Sequence, residues 1–382
     1  MSADIVVLPT KPGYRIRLFL SVDLVGSTAF KSKESHNNLV WMKAFQKFYG
    51  RFPKIFRKRY EDFCASNPEI DEKEQSDLPK VWKTIGDEIL FVNRVYSIAH
   101  LAAYVYAFRE ALIDFGEEIG SAFDLNTKGN AWVAAFPTPN RSIQLSLNGG
   151  DSLYGEGYDL LTEEVEIAVD EAPGKFDFLG KGIDGGFRIS RNSAIDAMTL
   201  SPALAYLLCK AKRNVDTTKF DCKFSFHEPQ VFKGVVGGRK YPVISLITSR
   251  DENHEAVECL EAELLDRPRE AEIGTLFDYL ESYIQAYRIE KPELKLAYRS
   301  ADIEVPEYYK VYISAWEKDR VEIEARKKTE QEAANTSDGD LAAEFLGSDQ
   351  TSVEDLLGAI EPGLTVLEAE PAVAESKAAA AD

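Results

Sequence analysis

Apolar positions along this chain follow two periods, and the change from one to the other marks its elements. From Arg17 to about Thr248, β-rich runs trade places with segments of helical spacing. "RLFLSV" predicts a buried strand, and "NNLVWMKAFQKFYGRFPKIFRKRYEDF" a long amphipathic helix interrupted at Pro53. "KVWKTIGDEILFV" places two short β-rich runs around Ile85-Gly86, as a hairpin does. "SIAHLAAYVYAFREALIDFG" predicts a helix closed by glycine, and "AWVAAF" a strand. The polar stretch from Asn140 to Pro173 predicts an excursion holding one further strand, "EEVEIAV". A helix, "SPALAYLLCKA", and two strands, "CKFSF" and "YPVISLI", complete the pattern. Hairpins in the second half favour an α+β sandwich over a doubly wound sheet.

Beyond this region, residues 251–328 are rich in aromatics and end in a charged helical segment, which predicts a small, mostly helical C-terminal domain. Its expected role is sensing or bracing of a dimer. Residues 329–382 are Ala-, Glu- and Ser-rich and predict a disordered acidic tail. Residues 1–14 form an N-terminal extension to the domain at 15–248.

Charge sharpens this division. The chain carries 45 basic and 64 acidic residues, a net of −19, and residues 329–382 hold 13 acidic residues against one lysine. The rest is therefore only mildly acidic, with no basic stripe for a nucleic-acid backbone. Four scattered cysteines (Cys64, Cys209, Cys222, Cys259) fit reduced thiols in a cytoplasmic protein. No apolar run reaches the length of a membrane span, and no signal peptide is expected.

The candidate chemistry begins at "RLFLSVDLVGSTAF". Asp23 ends a buried strand, where a carboxylate is costly without a positive partner. Asp87 stands at the tip of the hairpin. If the strands are neighbours, the two carboxylates converge and repel, unless one is protonated or cations sit between them. Mn2+ or Mg2+ suits such oxygen ligands and commonly arrives with substrate phosphates. The small residues Gly26-Ser27-Thr28 permit close backbone approach to an anion. Taken singly, Asp23 reads as a helix N-cap, Gly86-Asp87 as a turn and Lys83 as a solvated lysine; their order along the chain carries the metal–polyphosphate reading.

That order resembles the class III nucleotidyl cyclases. "FLSVDLVGST" is similar to their first motif, Lys83 to Asp87 to the second, and "DFLGKGIDGGFR" to the third; "VFKGVVGGRKYPVISL" is similar to the closing pair of strands. The resemblance covers residues 15–248 and implies a ferredoxin-like α/β sandwich with shared sites in a head-to-tail homodimer. It implies two metal ions per site on Asp23, Asp87 and the Leu24 carbonyl. It further implies substrate contacts at Gly26, Ser27, Thr28, Phe30, Lys83 and Asp177, a transition-state role for Arg188, and a ribose contact at Asp184. The family's usual residue there is Asn, so Asp184 can only accept from the sugar. The wording "IDGGFRIS", "SVDLVGSTAF" and "WVAAFP" is most similar to the pyrimidine cyclases of bacterial Pycsar anti-phage defence. That implies UTP, cyclic UMP as product, and a cyclic-nucleotide-activated effector. Cytidylate or adenylate cyclisation, or a silent nucleotide-binding sensor, are the competing expectations.

Overall fold

The computed structural model describes residues 9–33, 38–144, 160–214 and 220–345. The chain divides into two units, 1–321 and 322–382. In order, the elements are β1 (Arg15–Val25), α1 (Ser27–Ser32), α2 (Asn38–Ser66), α3 (Glu72–Gln75), β2 (Val81–Ile85), β3 (Glu88–Val95), α4 (Ile98–Phe123) and β4 (Asn126–Phe136). Next come β5 (Arg141–Gln144), α5 (Glu163–Glu171), β6 (Phe176–Leu179), α6 (Lys181–Ile189), β7 (Ala197–Leu200), α7 (Pro202–Asn214), β8 (Phe224–Val231) and β9 (Lys240–Ile247). The last are α8 (Glu252–Leu264), α9 (Ile273–Ala286) and α10 (Glu307–Phe345).

The architecture is the expected α+β sandwich. One sheet runs β2-β3-β1-β4-β7-β9-β8, antiparallel except between β4 and β7. Alternation along β1 divides its two faces. Ile16, Leu18, Leu20, Val22 and Leu24 enter the main core with the aromatic stripe of α2 and the apolar face of α4. Phe19, stacked on Trp132 at 5.2 Å, faces a second, smaller core under β5, β6, α5 and α6.

That second face also holds Arg15 and Arg17, both at most 2% exposed. Arg17 meets Glu166 and Asp170, each at 2.6 Å; Arg15 meets Asp170 at 2.7 Å and also Glu163. Burial alone would push the Asp170 carboxyl up, but Arg17, Arg15 and Arg94 hold it below its ordinary range. This ring corrects the expected strand at "EEVEIAV", which is the helix α5. Only helical spacing brings Glu163, Glu166 and Asp170 to one side, facing the two guanidiniums.

Three further expectations differ from the structure. Helix α2 continues through Pro53, because Phe48, Phe52 and Phe56 bury one unbroken stripe across it. Residues 251–321 share the unit and the core of the sheet: Leu276, Leu280 and Ile284 of α9 join the main cluster. Phe277 stacks on Tyr206 of α7 at 5.2 Å, so the apolar stripe of α9 finds its partner outside its own region. The tail read as disordered from Thr329 begins inside α10, where Ala- and Glu-rich sequence suits a helix; residues 346–382, and 1–8 of the N-terminal extension, lie outside the described residues. No helix among the described residues is long and apolar enough to cross a membrane.

A buried polar group sets an acid limit on this core. His100, fully buried in α4, accepts the Tyr96 N–H at Nδ1 and lies 2.9 Å from the Tyr60 hydroxyl through Nε2. The Tyr60 proton goes to the Glu74 carbonyl, so Nε2 carries the imidazole hydrogen and Nδ1 has no room for one. Burial lowers the His100 pKa to about 3. The unfolded chain then binds a proton that the folded one refuses, and stability falls as pH drops from about 6.5 towards 3. Denaturant melts of wild type and His100→Gln between pH 7 and 5 should show the variant losing less stability over that window, whatever its stability at pH 7.

Candidate active site

The candidate site is a consequence of strand register. Strand β1 pairs with β3 so that Asp23 faces Glu88, and with β4 so that Asp23 faces Lys128. Directly opposed residues point to the same face, so Asp23, Glu88 and Lys128 gather at the end of the sheet on the side of the smaller core. Asp87 is next to them, in the turn between β2 and β3. The Leu24 N–H donates to the Asp87 carbonyl at 3.2 Å, tying the end of β1 to that turn. The Ser27 hydroxyl donates to the Asp87 carboxylate and the Ser21 hydroxyl to Glu88. Glycine is required at Gly26, whose φ of 87° turns the chain from β1 into α1.

The positive partner of Asp23 is Lys128, whose ammonium lies 3.1 Å from its carboxylate. Burial still pushes the Asp23 pKa up, with Lys128 opposing and the Asp87 charge adding to the rise. Glu88 is raised too, by burial first and then by Asp23 and Asp87, against the hydrogen bond from Ser21. Among the described residues, three carboxylates therefore share one edge with a single paired lysine.

A second pair forms beside this edge. Lys83 reaches Asp177 at 3.0 Å and lies 3.9 Å from the centre of the Trp82 ring. Trp82 fixes the geometry: its indole N–H donates to the Phe176 carbonyl at 3.0 Å, docking β6 against β2. Asp177 also accepts the Phe178 N–H at 2.9 Å.

Asp184 and Arg188 stand one turn apart on α6, both exposed. They line a shallow depression with Phe187, Ser190 and Arg191. Gly234, at φ 76°, lies against the Arg188 guanidinium, and a Cβ there would sit 3.6 Å from its nitrogens. Among the described residues, neither Asp184 nor Arg188 forms an ion pair or hydrogen bond with Asp23 or Asp87. One chain thus brings together Asp23 with Asp87 and Lys83 with Asp177, and leaves Asp184 and Arg188 facing solvent.

Of the other expected site residues, Gly26 and Thr28 are exposed beside Asp87, and Ser27 is buried by its bond to it. Phe30 is 3% exposed, in the core against Phe123, and the Leu24 side chain is buried likewise. A divalent cation requires several oxygens, and no cluster of three or more His, Cys, Asp or Glu side chains among the described residues is placed to hold one. Asp23 and Asp87 alone supply fewer oxygens than a divalent cation needs, so an ion held there would draw the rest of its shell from water and phosphate.

Lys128 and Glu88 are absent from the sequence reading. The strand expected at "AWVAAF" begins earlier, at Asn126, and only pairing over that extension brings Lys128 opposite Asp23. The polar composition of "NTKGN" hides it.

No family model matches the chain, and no curated protein matches it. Among solved structures it is similar to the adenylyl cyclase CyaB from P. aeruginosa, with 10% identity over 62% of this chain and 96% of that one, at a TM-score of 0.41. It is also similar to the guanylate cyclase domain of RhGC from Catenaria anguillulae in complex with GTP, with 12% identity over 63% of this chain and 100% of that one, at 0.40. A bacterial light-regulated adenylyl cyclase gives 8% identity over 64% and 95%, at 0.38. At these values the likeness assigns neither activity nor substrate.

The Asp23–Lys128 pair can be measured directly. Both side chains are about one-third exposed, with relative accessibilities of 30% and 34%, so solvent screens the pair and its worth is up to about 1 kcal/mol. A double-mutant cycle with Asp23→Asn and Lys128→Met should return a coupling of that size in unfolding free energy. A coupling of zero would make the contact incidental.

Proposed function

We propose that this chain is a metal-dependent nucleotidyl cyclase that converts UTP into 3′,5′-cyclic UMP and pyrophosphate. The observation that carries the reading is the junction of Asp23 and Asp87, joined by the Leu24 N–H to Asp87 carbonyl bond at the end of β1. It sits within the order of motifs that resembles the class III cyclases.

In this reading Asp23, Asp87 and the Leu24 carbonyl hold two Mn2+ or Mg2+ ions, which supply Lewis acidity at the ribose 3′-hydroxyl and charge neutralisation at the triphosphate. Lys128 contacts one oxygen of Asp23 and would share that carboxylate with a bound cation, its ammonium opposing the ion's charge. Gly26, Ser27 and Thr28 border the polyphosphate. Lys83 donates to a carbonyl of the base, and Asp177 accepts from a ring or exocyclic N–H. Asp184 accepts from the ribose, and Arg188 neutralises charge that develops on the reacting phosphorus. The outward position of Asp184 and Arg188 supports a site completed across a homodimer, where one chain supplies the carboxylates and its partner the arginine. Phe30, being core, supports α1 and does not touch substrate.

The choice of base follows the resemblance to the Pycsar pyrimidine cyclases. Lys83 and Asp177 satisfy uracil at a carbonyl and N3–H, and the same pair would serve adenine. The cyclic nucleotide would then be a messenger to a cyclic-nucleotide-activated effector in anti-phage defence.

Incubation with each of the four nucleoside triphosphates and Mn2+, read by mass spectrometry, tests the reaction. UTP should turn over at least about tenfold faster than ATP, or about 1.4 kcal/mol at the transition state. Predominant cyclic AMP from an equimolar mixture would reverse the choice of base and leave the cyclase reading standing. Asp23→Ala and Asp87→Ala should each abolish product while keeping a folded circular-dichroism spectrum. Mixed with Arg188→Ala under confirmed subunit exchange, either should regain part of the activity, since one mixed interface rebuilds one intact site. Mixtures that stay inactive would exclude the shared site.

A further inference from the structure

A cavity of about 380 Å³ lies at the other end of the sheet from Asp23. Ile16 lines it, seven residues before Asp23 on β1, or about 23 Å away along an extended strand. Its walls are β4 after Ala131, the glycine face of α6, the start of α7 at Ser201, and the segment Tyr287–Glu290 that follows α9. It opens there because β7 ends early. Strand β4 pairs with β7 only at Asn130 and Ala131, while β4 itself continues to Phe136.

The exposed edge has a definite chemistry. The Ala131 carbonyl accepts the Ser201 N–H at 2.9 Å, and the Ala135 carbonyl accepts the Asn140 N–H at 3.4 Å. Alternate residues of a strand turn their backbone groups to the same side, so Val133, between them, presents its N–H and C=O to the cavity. Val133 is 6% exposed, and among the described residues no group on this side bonds to either. A buried backbone donor and acceptor left open is costly, and the pair matches any ligand that offers an acceptor and a donor side by side. The surroundings are otherwise largely apolar. Opposite, Gly185 supplies open space: a Cβ built there meets nothing within 4 Å, whereas one at Gly186 would strike Trp132 at 2.2 Å.

We propose that this cavity binds a planar, mostly apolar heterocycle through a lactam edge, with the lactam C=O and N–H paired to the N–H and C=O of Val133. Its volume falls within the range of small-molecule sites, and the ring lies between Gly185 of α6 and Ile289. Such an occupant bears on α6, whose exposed side carries Asp184 and Arg188. It also bears on the Tyr287–Glu290 segment, which an ion pair between Lys181 and Glu290 clips to that helix. The site is therefore placed to couple the region after β9 to α6; an effect on turnover rests on the cyclase reading, whereas binding does not.

Saturation-transfer NMR on the full chain with 2-quinolone tests the site, with N-methyl-2-quinolone as the probe that lacks the donor. Two hydrogen bonds and a small apolar contact should give a dissociation constant of about 0.1–1 mM. The N-methyl compound should bind at least about tenfold more weakly. Gly185→Leu, which fills the cavity, and Ile289→Trp, which fills it from the opposite wall, should each abolish the signal while the protein stays folded. The proposal is overturned if no transfer is seen at about 1 mM 2-quinolone, or if both compounds bind equally. Retention of binding in whichever filled variant folds would overturn it too. Neither probe is a nucleoside triphosphate, so a chain with no cyclase activity would leave this readout intact.

Discussion

Strand β1 is paired along its length, with β3 on one side and β4 on the other, and its two faces are chemically opposite. One face is apolar from Ile16 to Leu24. The other carries Arg15, Arg17, Phe19, Ser21 and Asp23. A slip of one residue would drive two guanidiniums and a carboxylate into the main core, so the register is fixed by the cost of burying unpaired charge. The carboxylate edge inherits its position from that register: Asp23 opposite Glu88 and Lys128, and Asp87 bonded through its carbonyl to Leu24.

The same strand explains why charge appears at both of its ends on one face. At its start, Arg15, Arg17 and Arg94 meet Glu163, Glu166 and Asp170, three charges of each sign, and the result is a closed structural cluster. At its end, Asp23, Asp87 and Glu88 share one lysine, and the carboxyls of Asp23 and Glu88 are pushed up. Buried ionic clusters that balance are structural; an excess of one sign at an accessible edge is poised to take a ligand of the other sign.

The region after β9 is built into the sheet domain through aromatic and hydrogen-bonded contacts. Tyr309 donates to the Pro12 carbonyl at 2.9 Å, and the Trp316 indole donates to the Leu161 carbonyl at 2.7 Å. Both partners lie at the entrances to elements that carry the Arg15–Asp170 cluster. The aromatic richness that marked residues 251–328 therefore serves attachment to the first 250 residues, and α6 lies close to that attachment through Lys181 and Glu290.

Much was legible in the order of residues alone. The strand ending in Asp23, the hairpin around Gly86-Asp87, the helices α2, α4 and α7 and the sandwich class follow from local period and turn chemistry, which act over a few neighbours. So did the meeting of Asp23 with Asp87, because a hairpin beside a central strand brings its turn to that strand's end. The pairing of Lys83 with Asp177 came from the resemblance, and its geometry came from Trp82 docking β6. What the sequence left open depends on partners far along the chain. "EEVEIAV" alternates like a strand and folds as a helix because two buried arginines, about 150 positions earlier, need carboxylates at helical spacing. Lys128 carried no signal in the sequence, and only the pairing of β4 with β1 placed it on Asp23. Local pattern fixes what a segment prefers; which buried charge must be answered, and by whom, is decided only when distant segments exclude water together.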